Sequence, residues 1–207
     1  KYISSLEAEL FENNIRVEVY ENLINAVHKN IYLLQNYIKL KKDFLNIESF
    51  HMYDMYVPLY DKVLTFDYHE AQDIIIEALK PLGESYTSVV IEGFRDRWVD
   101  IYENKGKTSG AYSTGSYHSK PFILMNFQGT IEDVYTLVHE MGHSMHSYFT
   151  HKYQPFVYSG YSIFLAEIAS TTNEALLTNY LLEKARDKSE KLVILNHFLE
   201  QFRTTLF

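Results

Sequence analysis

Apolar residues recur at helical spacing along the first part of the chain, at Leu6, Leu10, Ile15, Val19, Leu23, Ile24, Val27, Ile31, Leu34, Tyr37 and Ile38. No Gly or Pro interrupts Ser4 to Leu45, which predicts two helices or one long bent one. An aromatic-rich connection holding Pro58 follows, from Asn46 to Thr65. Helices are next predicted from Tyr68 to Leu79 and from Glu84 to Tyr102, with Pro81 and Gly83 marking the turn between them. The pattern changes at Asn104, where Asn104 to Lys107 reads as a turn. Gly110 to Tyr117 is small, polar and aromatic, and Pro121 to Phe127 is a short apolar run. These two segments predict β-strands, paired as a hairpin joined near His118, Ser119 and Lys120. Thr130 then opens a helix as N-cap, with Asp133 three residues on in a capping-box position. Helical patterning returns from about Tyr161 to Arg186, and again from Leu192 to Phe207. The fold class expected is mainly α, with a small β-sheet beside the helix opened by Thr130. The expected organisation is a helical region over 1–103 and a second region over 104–207 that holds the small sheet and the helix opened by Thr130, within one continuous domain.

Composition narrows the classes of function. With 207 residues, 46% hydrophobic and 22% charged, the chain has ample material for a buried core. A formal net charge of −8 argues against nucleic acid as a partner. No apolar run is long enough to span a bilayer and no signal-peptide pattern opens the chain, so no membrane partner is expected. The absence of Cys excludes a disulfide framework and a cysteine-based metal site, and fits a reducing compartment. A cytoplasmic location is expected. The chain begins at Lys1 inside helical sequence and stops at Phe207 directly after an amphipathic stretch, so a piece of a longer protein is expected.

The chemistry concentrates on the helix opened by Thr130, which carries His139-Glu140-Met141-Gly142-His143. Two His four residues apart lie one above the other on a helical face, so their imidazoles can converge on one ion. Glu140, beside the first His, can reach a metal-activated water rather than the metal. This HExxH arrangement reads as two zinc ligands plus a general base; the bland alternative is a His-rich turn of surface helix. Catalytic zinc usually takes three protein ligands and keeps one position open. The position six residues after His143, where one class of zinc peptidase carries its third His, is Phe149. A carboxylate on a later helix can serve instead. Glu167 and Glu174 stand seven apart on one face of an otherwise apolar stripe, an expensive place for charge without a cation or hydrogen bonds to receive it. Pairing of Glu167 with a Lys or Arg is its structural alternative. Glu174 reads either as an acceptor orienting a ligand His or as a surface carboxylate. His146, three residues past His143, offers a third His ligand but sits farther along the axis than an ideal tetrahedron wants; the stronger reading has it lining the cleft or bonding a carboxylate. His118 and His151 lie in loop-like surroundings and read as solvated. Gly142 costs about 1 kcal/mol against Ala in mid-helix, which suggests close approach of another backbone or room for substrate.

These residues resemble the thimet oligopeptidase superfamily of zinc metallopeptidases, and within it the oligoendopeptidase F group. The carriers are Ser109 to Ser113 (Ser-Gly-Ala-Tyr-Ser), Pro121 to Gly129 (Pro-Phe-Ile-Leu-Met-Asn-Phe-Gln-Gly), His139 to Ser147 (His-Glu-Met-Gly-His-Ser-Met-His-Ser) and Phe164 to Thr171 (Phe-Leu-Ala-Glu-Ile-Ala-Ser-Thr). The resemblance runs from about Leu6 to Phe207. It implies one Zn2+ held by His139, His143 and Glu167, with Glu140 as general base. It also implies cleavage of short unstructured peptides inside a deep channel of a largely helical protein. Gly110, Ala111 and Tyr112 resemble the group's edge strand, which pairs with the substrate backbone; small residues suit such an approach. The group's enzymes are about three times longer, and their substrate-binding His and Tyr residues match nothing in this chain. On that basis the 207 residues alone are expected to bind zinc and turn over peptides poorly. Two rival readings share the motifs: an HExxH metallocarboxypeptidase, and a non-catalytic helical binding module with a structural or vestigial metal.

Overall fold

Ser4 opens the first helix, its hydroxyl accepting from the Glu7 amide at 3.1 Å. The long apolar stretch resolves into two helices, α1 (Ser5–Phe11) and α2 (Val17–Leu45). Asn14, at φ 52°, breaks the chain between them, and Asn46, at φ 53°, ends α2 in the left-handed conformation that Asn tolerates. The computed structural model describes residues 1–60 and 62–207. Further along lie α3 (Tyr68–Ala78), α4 (Glu84–Arg95), α5 (Ile131–Tyr153), α6 (Ile163–Lys184) and α7 (Lys188–Leu206), with strands β1 (Val99–Asp100), β2 (Tyr112–Thr114) and β3 (Phe122–Leu124). The mainly helical class with one small sheet therefore holds.

The chain forms two compact units. One comprises Lys1–Lys62 and Arg186–Phe207. Within it, Lys41 of α2 is almost fully buried and its ammonium donates to the Met55 carbonyl, in a 3-10 turn over Met52–Tyr56. Burial presses the Lys41 pKa down, against the pull of Glu200 4.0 Å away. Tyr37 donates to Glu200 at 2.6 Å, and Arg203 pairs with the same carboxylate at 2.6 Å. Asp187 caps α7, its carboxylate accepting from the Glu190 amide at 2.8 Å.

The other unit, Val63–Ala185, contains the sheet and helices α3 to α6. The expected hairpin is present: β2 pairs antiparallel with β3, Tyr112 opposite Leu124, Ser113 opposite Ile123 and Thr114 opposite Phe122. The expected helix from Glu84 to Tyr102 is corrected. It ends at Arg95, and Val99–Asp100 is instead a strand paired parallel to β3, giving the order β1-β3-β2. The cause is a sharp reversal: Arg97 takes φ 58° and the Trp98 amide reaches back to the Gly93 carbonyl at 2.9 Å. Gly93 is needed there, since a Cβ would stand 2.8 Å from the Trp98 ring. Because β1 and β3 pair across it, residues on either side of the expected 103/104 boundary share this unit. Ile123, Met125 and Phe127 alternate inward as a pleated segment should, and all three are buried. Among the described residues, no helix is long and apolar enough to cross a membrane.

Candidate metal centre

Helix α5 starts where the sequence places it. The Thr130 hydroxyl accepts from the Asp133 amide at 3.2 Å, while the Asp133 carboxylate accepts from the Thr130 amide at 2.9 Å and the Gln128 amide at 3.0 Å. The start is also tied to the segment leading into α3, through the Phe66 amide on the Gly129 carbonyl at 2.9 Å and a bridge between Thr65 and Thr130. One stripe of α5 is core: Val134, Leu137, Val138, Met141 and Met145 are all fully buried. The adjoining stripe carries His139 and His143, both half-buried.

Helix α6 packs along α5 and brings Glu167 to these imidazoles. The two helices approach closely because residue 142 is Gly. A Cβ there would lie 2.6 Å from the Ser170 Cα and 3.0 Å from the Ala169 carbonyl oxygen. Close backbone approach, one of the two readings offered for Gly142, is what the helices show. Asn173 reinforces the contact, donating to the Val138 carbonyl at 3.3 Å, and the Tyr135 and Thr178 hydroxyls meet at 2.8 Å.

His139 Nε2 lies 3.0 Å from His143 Nε2 and 3.5 Å from Glu167 Oε2; His143 Nε2 lies 3.8 Å from Glu167 Oε1. A tetrahedral zinc with bonds of about 2.0–2.1 Å spaces its ligand atoms about 3.3–3.4 Å apart. The donor set therefore fits one such ion, and one atom from each of the three residues falls within 4.8 Å of the others. The opposite edge of the His139 ring is engaged, and the His143 ring has a backbone partner. The Glu174 carboxylate meets His139 Nδ1, and the Ala166 backbone carbonyl accepts from the His143 imidazole. Ser170 donates to Glu167 Oε2 at 3.0 Å.

Electrostatics follow from this crowding. Burial opposes a charged His139, but the Glu174 bond and the charges of Glu174, Glu140 and Glu167 outweigh it and raise its pKa. His143 is pushed down, first by burial and then by His139. Burial raises the pKa of Glu140, helped by Glu167 and Glu174 and opposed by His139 and by a hydrogen bond from the Ser113 backbone amide. A buried carboxylate with a raised pKa is the better proton acceptor.

Glu140, His139, His143 and Glu167 line one cavity of about 380 Å³, shared with Ala111, Tyr112 and Tyr161. Of the three candidate substrate-contacting residues, Ala111 and Tyr112 are thus beside the ligands. Gly110 does not line that cavity; it sits at φ 87° with its carbonyl accepting from Asn126 at 2.9 Å. Glu174 is largely buried, with its carboxylate against His139 Nδ1. His146 does not join the ligand group. Its ring rests edge-on against Tyr161 at 4.2 Å, and it lines a neighbouring apolar cavity of about 310 Å³ with Gly142, Tyr86 and Phe149. Burial lowers its pKa. Sequence reading missed Ser113 and Ser144, whose hydroxyls meet at 2.8 Å, and Tyr161, whose hydroxyl bonds Ser147. No spacing rule signals these, because each pair joins separate elements.

The profile of Peptidase family M3 matches residues 1–207. The chain belongs to peptidase family M3. Among its M3 relatives, oligopeptidase PepF of Bacillus subtilis is 52% identical over all of this chain and 31% of its own length. The chromosomal oligoendopeptidase F of Lactococcus lactis subsp. cremoris is 50% identical, over all of this chain and 34% of that protein. A crystal structure from Chlamydophila abortus superposes with a TM-score of 0.87 at 47% identity, covering 99% of this chain and 34% of that one. The chain thus spans about a third of the length of the curated M3 relatives it matches.

Proposed function

We propose that this chain carries the metal-and-base centre of a zinc-dependent endopeptidase that hydrolyses short, unstructured peptides. The reading rests on one observation: ligand atoms of His139, His143 and Glu167 lie within 4.8 Å of one another, with Glu140 lining the same cavity. The names of its relatives, oligopeptidase and oligoendopeptidase F, point the same way. A zinc ion held by these three residues would supply Lewis acidity, acidifying a water and polarising the scissile carbonyl. Glu174 and the Ala166 carbonyl hold the imidazole rings so that both Nε2 atoms face one point. Glu140 takes a proton from the water as its oxygen bonds to the carbonyl carbon, then delivers it to the amine as the C–N bond breaks. Ala111 and Tyr112, on and before β2, offer a strand edge to the peptide backbone. The net charge of −8 sets nucleic acid aside as substrate. A cytoplasmic location belongs to the same proposal and rests on the cysteine-free sequence, which fits a reducing compartment.

Elemental analysis of the purified gene product, joined with cleavage of an internally quenched peptide, tests this. One zinc per chain and internal cuts are expected, and mass spectrometry of the products distinguishes them from stepwise loss of C-terminal residues. Glu140→Gln is expected to keep the metal and lose nearly all turnover. A Glu140→Gln protein retaining more than about a few per cent of activity would remove Glu140 from this role.

A further inference from the structure

Ser144 follows the second ligand His and is fully buried in α5. Ser is a poorer helix former than Ala, and a buried hydroxyl without a partner is costly. Its partner here is on another element: Ser144 Oγ stands 2.8 Å from Ser113 Oγ in the middle of β2. The backbone amide of that same Ser113 faces the Glu140 carboxylate, and Ser113 and Glu140 line one cavity. Glu140 and Ser144 are four residues apart, hence one turn apart on a single face of α5. One strand residue therefore grips two successive turns of the ligand helix, Ser144 through its side chain and Glu140 through its main chain.

We propose that Ser144 is a positioning residue: by holding the Ser113 side chain it sets how β2 lies on α5, and so where the Ser113 amide holds the Glu140 carboxylate. The inference rests on the reading of Glu140 as general base. A proton acceptor displaced by a fraction of an ångström loses rate in the chemical step more than in substrate binding. Ser144 is fully buried and does not line the cavity that Ser113 and Glu140 share, so it acts only through Ser113.

The test uses the complete gene product with Ser144→Ala, Ser113→Ala, the double variant and Ser113→Thr. Each single Ala change is expected to lower kcat about tenfold, with KM within about threefold and zinc content unchanged. The double variant should be no slower than either single one, because the two hydroxyls act as a unit. Ser113→Thr keeps a hydroxyl, suits a strand, and should restore kcat to within about threefold of the unaltered protein. An unchanged kcat in Ser144→Ala, or losses that multiply in the double variant, would overturn the proposal. Amide hydrogen exchange provides a readout independent of turnover. In Ser144→Ala the Ser113 amide should exchange about tenfold faster while Leu137 to Met141 stay protected. Unaltered exchange at Ser113 refutes the positioning role. Absence of peptide cleavage by the unaltered protein refutes the peptidase reading instead, and the exchange result then decides the Ser113–Ser144 claim alone.

Discussion

The His139 imidazole is anchored on the side away from His143, and His143 has a backbone partner of its own. Glu174 holds His139 Nδ1, the Ala166 carbonyl accepts from His143, and the two Nε2 atoms face across 3.0 Å. Neutral rings donating outward would turn two lone pairs toward each other, an arrangement that calls for a cation or a shared proton between them. Removing the outward anchor should loosen the seat. Glu174→Ala is expected to weaken zinc binding by about 10- to 100-fold, measured by competition with a chromogenic chelator. Affinity unchanged in that variant would show that Glu174 is only a neighbour. At this scale the sequence is legible wherever placement follows from spacing along one helix: His139, Glu140 and His143 on α5, Glu167 and Glu174 on α6. It is silent about Ser113 and Tyr161. Their partners, Ser144 and Ser147, lie 31 and 14 residues away, on α5, an element that neither of them belongs to.

Between elements, the contact of α5 with α6 governs the site, and Gly142 governs the contact. Intrinsic propensity favours Gly142→Ala by about 1 kcal/mol. The added Cβ, however, would meet Ser170 main chain at 2.6 Å, and backbone yields poorly. The clash should dominate, with a net loss of about 1–3 kcal/mol in thermal unfolding. Zinc binding should weaken alongside it, since Glu167 lies one turn from Ser170 on the helix being pushed away. A Gly142→Ala protein that binds zinc normally would show that α6 can shift without moving Glu167. Periodicity predicts α5 well, because its N-cap chemistry and its apolar stripe agree. It overruns α4, because the reversal at Arg97 depends on a left-handed backbone that an Arg side chain does not announce. With α4 carried too far, β1 stayed hidden: a two-residue strand is too short to show alternation.

On the scale of the whole molecule, acid stability has an identifiable contributor. Glu190 accepts from the Arg186 side chain and backbone amide, and from Lys62 at 3.0 Å, which together hold its pKa down to about 2 from an ordinary 4.5. Its folded value lies below the unfolded one, so the stabilisation is fully present above about pH 4.5 and fades as pH falls toward 2. In the metal-free chain, Glu190→Gln should flatten the acid limb of the unfolding curve between those values, followed by circular dichroism. A limb of unchanged steepness would assign the sensitivity elsewhere. The chain spans about a third of the relatives it matches. If, as the resemblance to the oligoendopeptidase F group implies, substrate-binding His and Tyr residues belong to the rest, the 207 residues alone should bind zinc yet cleave peptides at least about a hundredfold more slowly than full-length relatives. Ready hydrolysis by the chain alone would overturn that expectation. The staple of Phe66 and Thr65 onto Gly129 and Thr130 has a consequence of its own. It pins the first turn of α5 while an apolar stripe seats the rest, and neither task involves the ion. Small zinc domains collapse when stripped. This protein should instead survive dialysis against a chelator with its far-ultraviolet spectrum intact, and regain its metal without a refolding lag.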